Sequence, residues 1–110
     1  MKAQAFSRDN NKYRSGLEQR YAGYLQQRFL LKEIVKWQFE ALKFRLANNT
    51  FYTPDFYVLL PDGRIELHEV KGFVRAAGRI KFKTAAAQYP EFCWLWITYD
   101  KRTGWKRETL

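Results

Sequence analysis

Two short segments carry the side chains best suited to chemistry. Residues 52–56 read Tyr-Thr-Pro-Asp-Phe, and residues 68–72 read His-Glu-Val-Lys-Gly. Between them, residues 60–63 read Leu-Pro-Asp-Gly, with proline and glycine at the positions that favour a type I turn closed by a glycine bulge. In the β-hairpin that follows from this turn, pairing continued away from the turn places Asp55 directly opposite Glu69.

Facing carboxylates on neighbouring strands repel each other, because their Cβ atoms lie roughly 5 Å apart. A divalent cation that prefers oxygen ligands, Mg²⁺ or Mn²⁺, would offset this repulsion. Lys71 lies two residues beyond Glu69, so both side chains project from the same face of the strand. An isolated Glu-x-Lys is usually a solvated strand end, but the proline-aspartate at the facing position predicts a metal site beside a lysine.

Glu18 has two interpretations. Ser15 and Glu18 fit a capping box that opens a helix, and a capping glutamate at the third helical position needs no further function. Glu18 also lies beside Leu17 on the apolar stripe of that helix, so its carboxylate could instead point over the sheet and join the site. One carboxylate cannot fill both roles at the same time, and the sequence leaves both open.

The elements that must position these residues follow from the apolar pattern and the turn residues. The sequence predicts a helix from Ser15 to about Leu31, one or two strands within 34–48 (or an extension of the first helix), hairpin strands at 56–60 and 64–71, a helix at 75–89, a strand at 92–99 that is buried on both faces, and an edge strand at 105–110. The core order is α-β-β-β-α-β around a mixed sheet, an α/β fold that borders on α+β. A flexible basic arm at 1–14 precedes a single domain at 15–110.

The charge of the chain indicates its partner. Twenty Lys and Arg residues against eleven Asp and Glu residues give a net charge of +9, which for one small domain favours a polyanion. No stretch approaches the roughly 18 apolar residues that span a bilayer, and residues 1–16 lack an apolar signal-peptide core. We therefore expect a cytoplasmic protein that binds nucleic acid and no membrane.

Several basic residues are candidates for phosphate contact. Arg79 and Lys83 share a face of the second predicted helix, which carries no acidic residue. The candidate DNA-binding set is Arg14 in the arm and Arg75, Arg79, Lys81 and Lys83 on the helix. A merely solvated basic face is the alternative. His68 projects from the face opposite Glu69, which predicts a packing or solvent role rather than metal ligation.

At these residues the sequence resembles the PD-(D/E)XK nuclease superfamily, through Pro54-Asp55 and Glu69-Val70-Lys71 in the α-β-β-β-α-β order. More narrowly, Tyr-Thr-Pro-Asp-Phe followed by Glu-Val-Lys-Gly-Phe is similar to a family of small phage-encoded proteins of unassigned function. The resemblance covers residues 15–98 and implies a restriction-endonuclease-like core. A phage-encoded protein would act in the cytoplasm of the host cell.

The superfamily resemblance also implies roles for individual residues. Asp55 and Glu69 would bind Mg²⁺ or Mn²⁺, with the backbone carbonyl of Val70 as a further ligand. Lys71 would position the attacking water, lower its pKa or stabilise the charge on the phosphorane. An acidic residue on the first helix usually joins such sites, which favours Glu18 as a ligand, and Lys81 is the candidate for a basic residue on the second helix.

We therefore predict a metal-dependent deoxyribonuclease, an endonuclease that selects DNA structure rather than sequence. By resemblance, small enzymes of this kind often act as homodimers on branched DNA. A non-catalytic nucleic-acid-binding module on a degenerate nuclease fold is the alternative, although such a module has no need of opposed carboxylates. A third hypothesis is a structural or partner-binding phage protein whose charge only aids solubility.

Overall fold

The computed structural model describes Tyr13, residues 15–72 and residues 76–110. This part of the chain forms two helices and seven strands. In chain order they are α1 (Gly16–Leu30), β1 (Lys36–Phe39), β2 (Phe44–Ala47), β3 (Thr50–Tyr52), β4 (Phe56–Leu59), β5 (Ile65–Val70), α2 (Ala76–Gln88), β6 (Cys93–Asp100) and β7 (Gly104–Thr109).

Five of the strands form one mixed sheet in the order β1-β4-β5-β6-β7. Only β5 and β6 pair in parallel within this sheet, and α2 makes the crossover that a parallel pair requires. Strands β2 and β3 form a separate antiparallel pair. Without that pair, the elements from α1 to β6 follow the predicted α-β-β-β-α-β order, and the α/β fold bordering on α+β is confirmed.

The two helices cover opposite faces of the sheet, because side chains alternate along each strand. On β5, Val70 joins the core cluster that includes Tyr21 and Leu25 of α1, whereas Leu67 joins the cluster that includes Phe82 and Ala85 of α2. Strand β6 contributes to both clusters, so its continuous apolar run is buried on both sides as predicted.

The hairpin that carries the candidate site has the predicted turn and register. Leu60 donates its N–H to the Arg64 carbonyl at 2.9 Å, and Gly63 adopts a φ of 91° that favours glycine. Along the ladder, Phe56 lies opposite His68. Continued by one residue away from the turn, this register places Asp55 opposite Glu69, as the sequence predicts.

Two expectations need correction. Residues 34–48 form two strands, so the alternative of a longer first helix is wrong, and β3 was not predicted at all. Strand β3 is only three residues long and follows a tight turn in which Asn49 has a φ of 57°, so it lacks the alternation that marks a strand.

Tyr13 extends the packed part of the chain beyond the predicted domain start at residue 15. Its side chain is buried, and the centre of its ring lies 4.7 Å from the centre of the Phe39 ring in an edge-to-face arrangement. The rest of the predicted basic arm, residues 1–12 and Arg14, lies outside the described residues.

Candidate functional site

The predicted site residues meet at the carboxyl end of β5, where the first turns of both helices approach the sheet. A Cβ atom on Gly72 would lie 3.8 Å from Leu17 Cδ2, at the start of α1. A Cβ atom on Gly78 would lie 4.0 Å from Lys71 Cε, so α2 also begins beside the end of this strand. Gly72 therefore lies against the start of α1, and the Lys71 side chain lies against the first turn of α2.

Asp55 is completely buried and is fixed to both neighbouring strands. Its Oδ2 accepts a hydrogen bond from the Val70 N–H at 2.9 Å, and its backbone carbonyl accepts one from the Glu40 N–H at 2.8 Å. Burying a carboxylate is costly unless it has such partners. The sheet thus holds this group in one position beside β5.

Glu69 is buried and has a protein partner at each carboxylate oxygen. The Tyr52 hydroxyl donates to Oε1, and the Lys71 ammonium lies 3.0 Å from Oε2. The side chain of Lys71 is 32 % exposed, so its ammonium lies between the buried carboxylate and solvent. Lys71 directly follows β5, and its contact with Glu69 confirms the prediction that the two side chains project to the same face of the sheet.

Tyr52 is the member of this group that sequence reasoning missed. It is the last residue of β3 and is itself buried. The one available signal was its position three residues before Asp55 in the first motif. That spacing does not reveal that β2 and β3 form a hairpin of their own, which directs the hydroxyl at Glu69.

Glu18 takes the predicted position at the start of α1. Its N–H donates to the Ser15 hydroxyl at 3.1 Å, so the expected N-cap is confirmed. The Glu18 carboxylate is buried. The pKa of the Tyr13 hydroxyl is raised first by the burial of Tyr13 and second by the nearby charge of Glu18. Among Tyr13, residues 15–72 and residues 76–110, no group of three or more acidic, histidine or cysteine side chains is assembled around a metal position. Ligation by Glu18 stays a prediction.

The donor chemistry at Asp55 and Glu69 nevertheless suits Mg²⁺ or Mn²⁺. Both side chains offer hard oxygen atoms, and Mg²⁺ is commonly bound through one or two carboxylates while it keeps several waters. The partly exposed side chain of Lys71 connects these carboxylates with solvent. A backbone carbonyl such as that of Val70 belongs to the same class of donor, and its role also stays a prediction.

His68 has a packing role on the opposite face of β5, as predicted. Its Nδ1 lies 2.7 Å from the Tyr21 hydroxyl of α1, and its Nε2 lies 2.9 Å from Glu66 Oε1. Burial lowers the pKa of the imidazole, while the hydrogen bond with Glu66 opposes that shift. Both ring nitrogens are engaged, so His68 is not available to a metal on the Glu69 side.

The basic residues of α2 divide into two groups. Arg79 forms an ion pair with Glu108 of β7, and its guanidinium carbon lies 4.9 Å from the centre of the Trp96 ring. Lys83 is exposed. The pKa of Glu108 is lowered first by the hydrogen bond from Arg79, and the charge of Lys83 adds to this effect. Lys81 is exposed and lies about 200° around the helix from Arg79. Arg14 and Arg75 lie outside the described residues.

A family model described as a protein of unknown function, DUF1064, matches residues 1–103. The chain belongs to the DUF1064 family. This confirms the expected similarity to a family of small proteins of unassigned function, but it does not assign this DUF1064 domain to the PD-(D/E)XK nucleases. No curated protein and no solved structure matches the chain. In the described part of the domain, neither helix is long and apolar enough to cross a membrane.

Proposed function

We propose that this protein is a metal-dependent nuclease that hydrolyses phosphodiester bonds in DNA. The observation that carries the proposal is the completely buried Asp55 beside the Glu69–Lys71 pair, whose lysine is partly exposed to solvent. Three charged groups at the edge of an apolar core are a poor way to stabilise a fold, because each must be desolvated. Such an arrangement is typical of a site that sacrifices stability for chemistry.

Asp55 and Glu69 would hold the cation, with the Val70 carbonyl and Glu18 as further donors. When bound, a divalent cation supplies Lewis-acid polarisation of the scissile phosphate and lowers the pKa of a coordinated water. The protein fixes one carboxylate through the Val70 N–H and the other through Tyr52, so neither has to be ordered when substrate arrives.

Lys71 would orient the attacking water and stabilise the negative charge that develops on the phosphate. Its ammonium is already held 3.0 Å from Glu69 and is partly exposed, so it can reach a substrate in solvent. A charge placed in advance where the transition state needs it contributes more to the rate than to substrate affinity.

The net charge of +9 supports DNA as the partner, since phosphate contacts dominate the affinity of such interfaces. A small domain of this kind has little surface beyond the core for reading base edges, which favours selection of DNA structure, including branched DNA, over sequence. Endonucleolytic cutting, a homodimer and a cytoplasmic location complete the proposal.

A non-catalytic DNA-binding module is the second candidate, and two observations favour it. Both carboxylate oxygens of Glu69 already have protein partners. In addition, the described residues do not assemble a third acidic ligand with Asp55 and Glu69. In this alternative Lys71 and Tyr52 replace the cation as neutralising partners, and DNA binding is independent of metal.

A substrate panel separates the two candidates. The protein would be incubated with Mg²⁺, Mn²⁺ or EDTA and with plasmid, linear, single-stranded and four-way-junction DNA, next to identically purified Asp55→Asn and Glu69→Gln variants. We expect metal-dependent cutting by the wild type only. Tight binding without cutting of any substrate would reject the nuclease in favour of the binding module, and equal cutting by Asp55→Asn would reject the proposed site.

A further inference from the structure

The face of the sheet that carries Glu69 continues to the edge strand β7. In the parallel register, Glu69 lies beside Trp96 of β6, and Trp96 lies opposite Glu108 of β7. Residues that are paired across a sheet project their side chains to the same face. These three side chains therefore form one row on the side that α2 covers.

A second row lies one step nearer the strand end. The Lys71 N–H donates to the Ile97 carbonyl at 2.9 Å, which sets Lys71 beside Thr98, and Thr98 lies opposite Lys106. Neighbouring strands are about 4.8 Å apart, so the backbones of Lys71 and Lys106 are separated by roughly 10 Å. The carboxylate-lysine pair of β5 is thus repeated on β7 at the same levels.

A cleft of about 460 Å³ opens between α2 and β7, over the β6 and β7 members of these rows and next to Glu69 and Lys71. It is lined by Arg79, Trp96, Thr98, Lys106, Arg107 and Glu108. Trp96 is buried under the guanidinium of Arg79, so it supports that cation and does not offer its ring to a base. The other lining side chains on the α2 side of the sheet are the Arg79 and Lys106 cations, the Thr98 hydroxyl and the Glu108 carboxylate, whereas Arg107 pairs with Ile97 and projects to the opposite face.

We propose that this cleft binds the sugar-phosphate backbone of the DNA strand whose scissile bond lies at Lys71, an inference that rests on the proposed function. Arg79 and Lys106 contact phosphates beside the cut, and the Thr98 hydroxyl donates to a phosphate oxygen. Charge-assisted hydrogen bonds from guanidinium and ammonium groups are the strongest available to a phosphate. Contacts of this kind position a strand without reading its sequence.

The present partners of these cations are exchangeable. Arg79 pairs with Glu108, whose side chain is 53 % exposed, and Lys106 lies 3.6 Å from Asp100 at a site that is also exposed. Exposed ion pairs contribute little free energy, so a phosphate can displace either carboxylate at small cost. Glu108 therefore occupies the position of an anion and competes with the strand for Arg79.

The test measures binding of a short fluorescein-labelled DNA duplex by anisotropy in EDTA, so that no cleavage occurs. Lys106→Gln should weaken binding by about fivefold and reduce the salt slope by about 0.9, as expected for one lost phosphate contact. Lys43→Gln is the matched control, because it removes the same charge from an exposed residue near the Phe51 ring of the separate hairpin. It should change affinity by less than about twofold.

Glu108→Gln supplies an independent readout, since removal of the competing carboxylate should tighten DNA binding. Asp62→Asn, in the remote hairpin turn, is its control. If only the net charge of the surface mattered, the two variants would tighten binding equally. Equal losses for Lys106→Gln and Lys43→Gln, or equal gains for Glu108→Gln and Asp62→Asn, would overturn the cleft. Circular dichroism of each variant serves as the control for folding.

Cleavage in Mg²⁺ is scored separately. If the cleft variants differ from their controls but the wild type cuts nothing, the nuclease proposal fails and the cleft stands as a DNA-binding surface. If the wild type cuts DNA and the cleft variants bind as their controls do, the cleft inference alone is wrong. Absence of any DNA binding by the wild type overturns both.

Discussion

The Asp55 carboxylate accepts a hydrogen bond from the Val70 N–H at 2.9 Å, so the aspartate is tied to the strand that carries Glu69 and Lys71. Asp55→Ala leaves that buried N–H without this acceptor, which costs about 1–3 kcal/mol. Asp55→Asn keeps an acceptor oxygen and should retain more of the free energy of unfolding. Urea denaturation of both variants measures the difference. Equal destabilisation would show that the hydrogen bond to the Val70 N–H does not contribute to the free energy of unfolding.

The Asp55→Asn variant also tests metal binding. Isothermal calorimetry with Mn²⁺ should give heat for the wild type and none for Asp55→Asn, because an amide lacks the charge that a hard cation needs. Asp62→Asn, in the exposed hairpin turn, removes an equal charge elsewhere and should bind as the wild type does. Equal heats for wild type and Asp55→Asn would remove Asp55 from the metal site.

Removal of the Tyr52 hydroxyl should impair the orientation of Glu69. A hydrogen bond to a charged group contributes about 1.5–3 kcal/mol, so Tyr52→Phe should slow cleavage by about tenfold or more if that orientation is used in the reaction. Tyr99→Phe is the control, since that ring packs against Trp105 on the other face of the sheet. Single-turnover rates at saturating Mg²⁺ provide the measurement, and equal rates for both variants would contradict the role of Tyr52.

Lys71 separates catalysis from binding. Lys71→Ala should keep the fold, metal binding and most of the DNA affinity, yet lose about 10²-fold or more in cleavage rate, roughly 3 kcal/mol in the barrier. Lys71→Arg should restore the rate only in part, because a planar guanidinium differs in geometry from an ammonium. The control is Lys101→Ala in the exposed turn before β7. Wild-type cutting by Lys71→Ala would refute the mechanism.

Stability should fall in acid through His68. Burial, followed by the charges of Arg107 and Arg28, lowers the pKa of this imidazole from its ordinary value of about 6.5, against the hydrogen bond with Glu66. The unfolded chain therefore binds a proton before the folded protein does, so stability is lost as pH falls below about 6.5. His68→Gln should be less stable near neutral pH but should lose less between about pH 7 and pH 5 in thermal melts. A parallel decline in both proteins would assign the pH dependence elsewhere.

The hairpin that carries Asp55 and Glu69 was predictable because its register is set locally. Proline and glycine fix the turn, and the strict alternation of a strand then determines which residues face each other. The N-cap at Ser15 follows from an equally local rule. These parts of the site could be read from residue types and spacing alone.

Contacts between distant segments were not predictable in this way. Tyr52 reaches Glu69 only because of how the β2–β3 pair docks, and Arg79 meets Glu108 across 29 residues of sequence. No periodicity in a single element determines which strand becomes the neighbour of another. The row of Lys71, Thr98 and Lys106 was therefore invisible until the strand order was known.

The β2–β3 pair has a further consequence, which concerns local stability. It shares no ladder with the main sheet, and it is held by packing of Phe44 and Tyr52 against the α2 cluster and by bonds from Gln88 and Tyr89 to its carbonyls. Isolated two-stranded pairs are marginally stable, so amide hydrogen exchange should be faster here than in β5. Opening of this small unit would release Tyr52 from Glu69 while the main sheet stays intact, so on heating the geometry of the site should be lost before the fold.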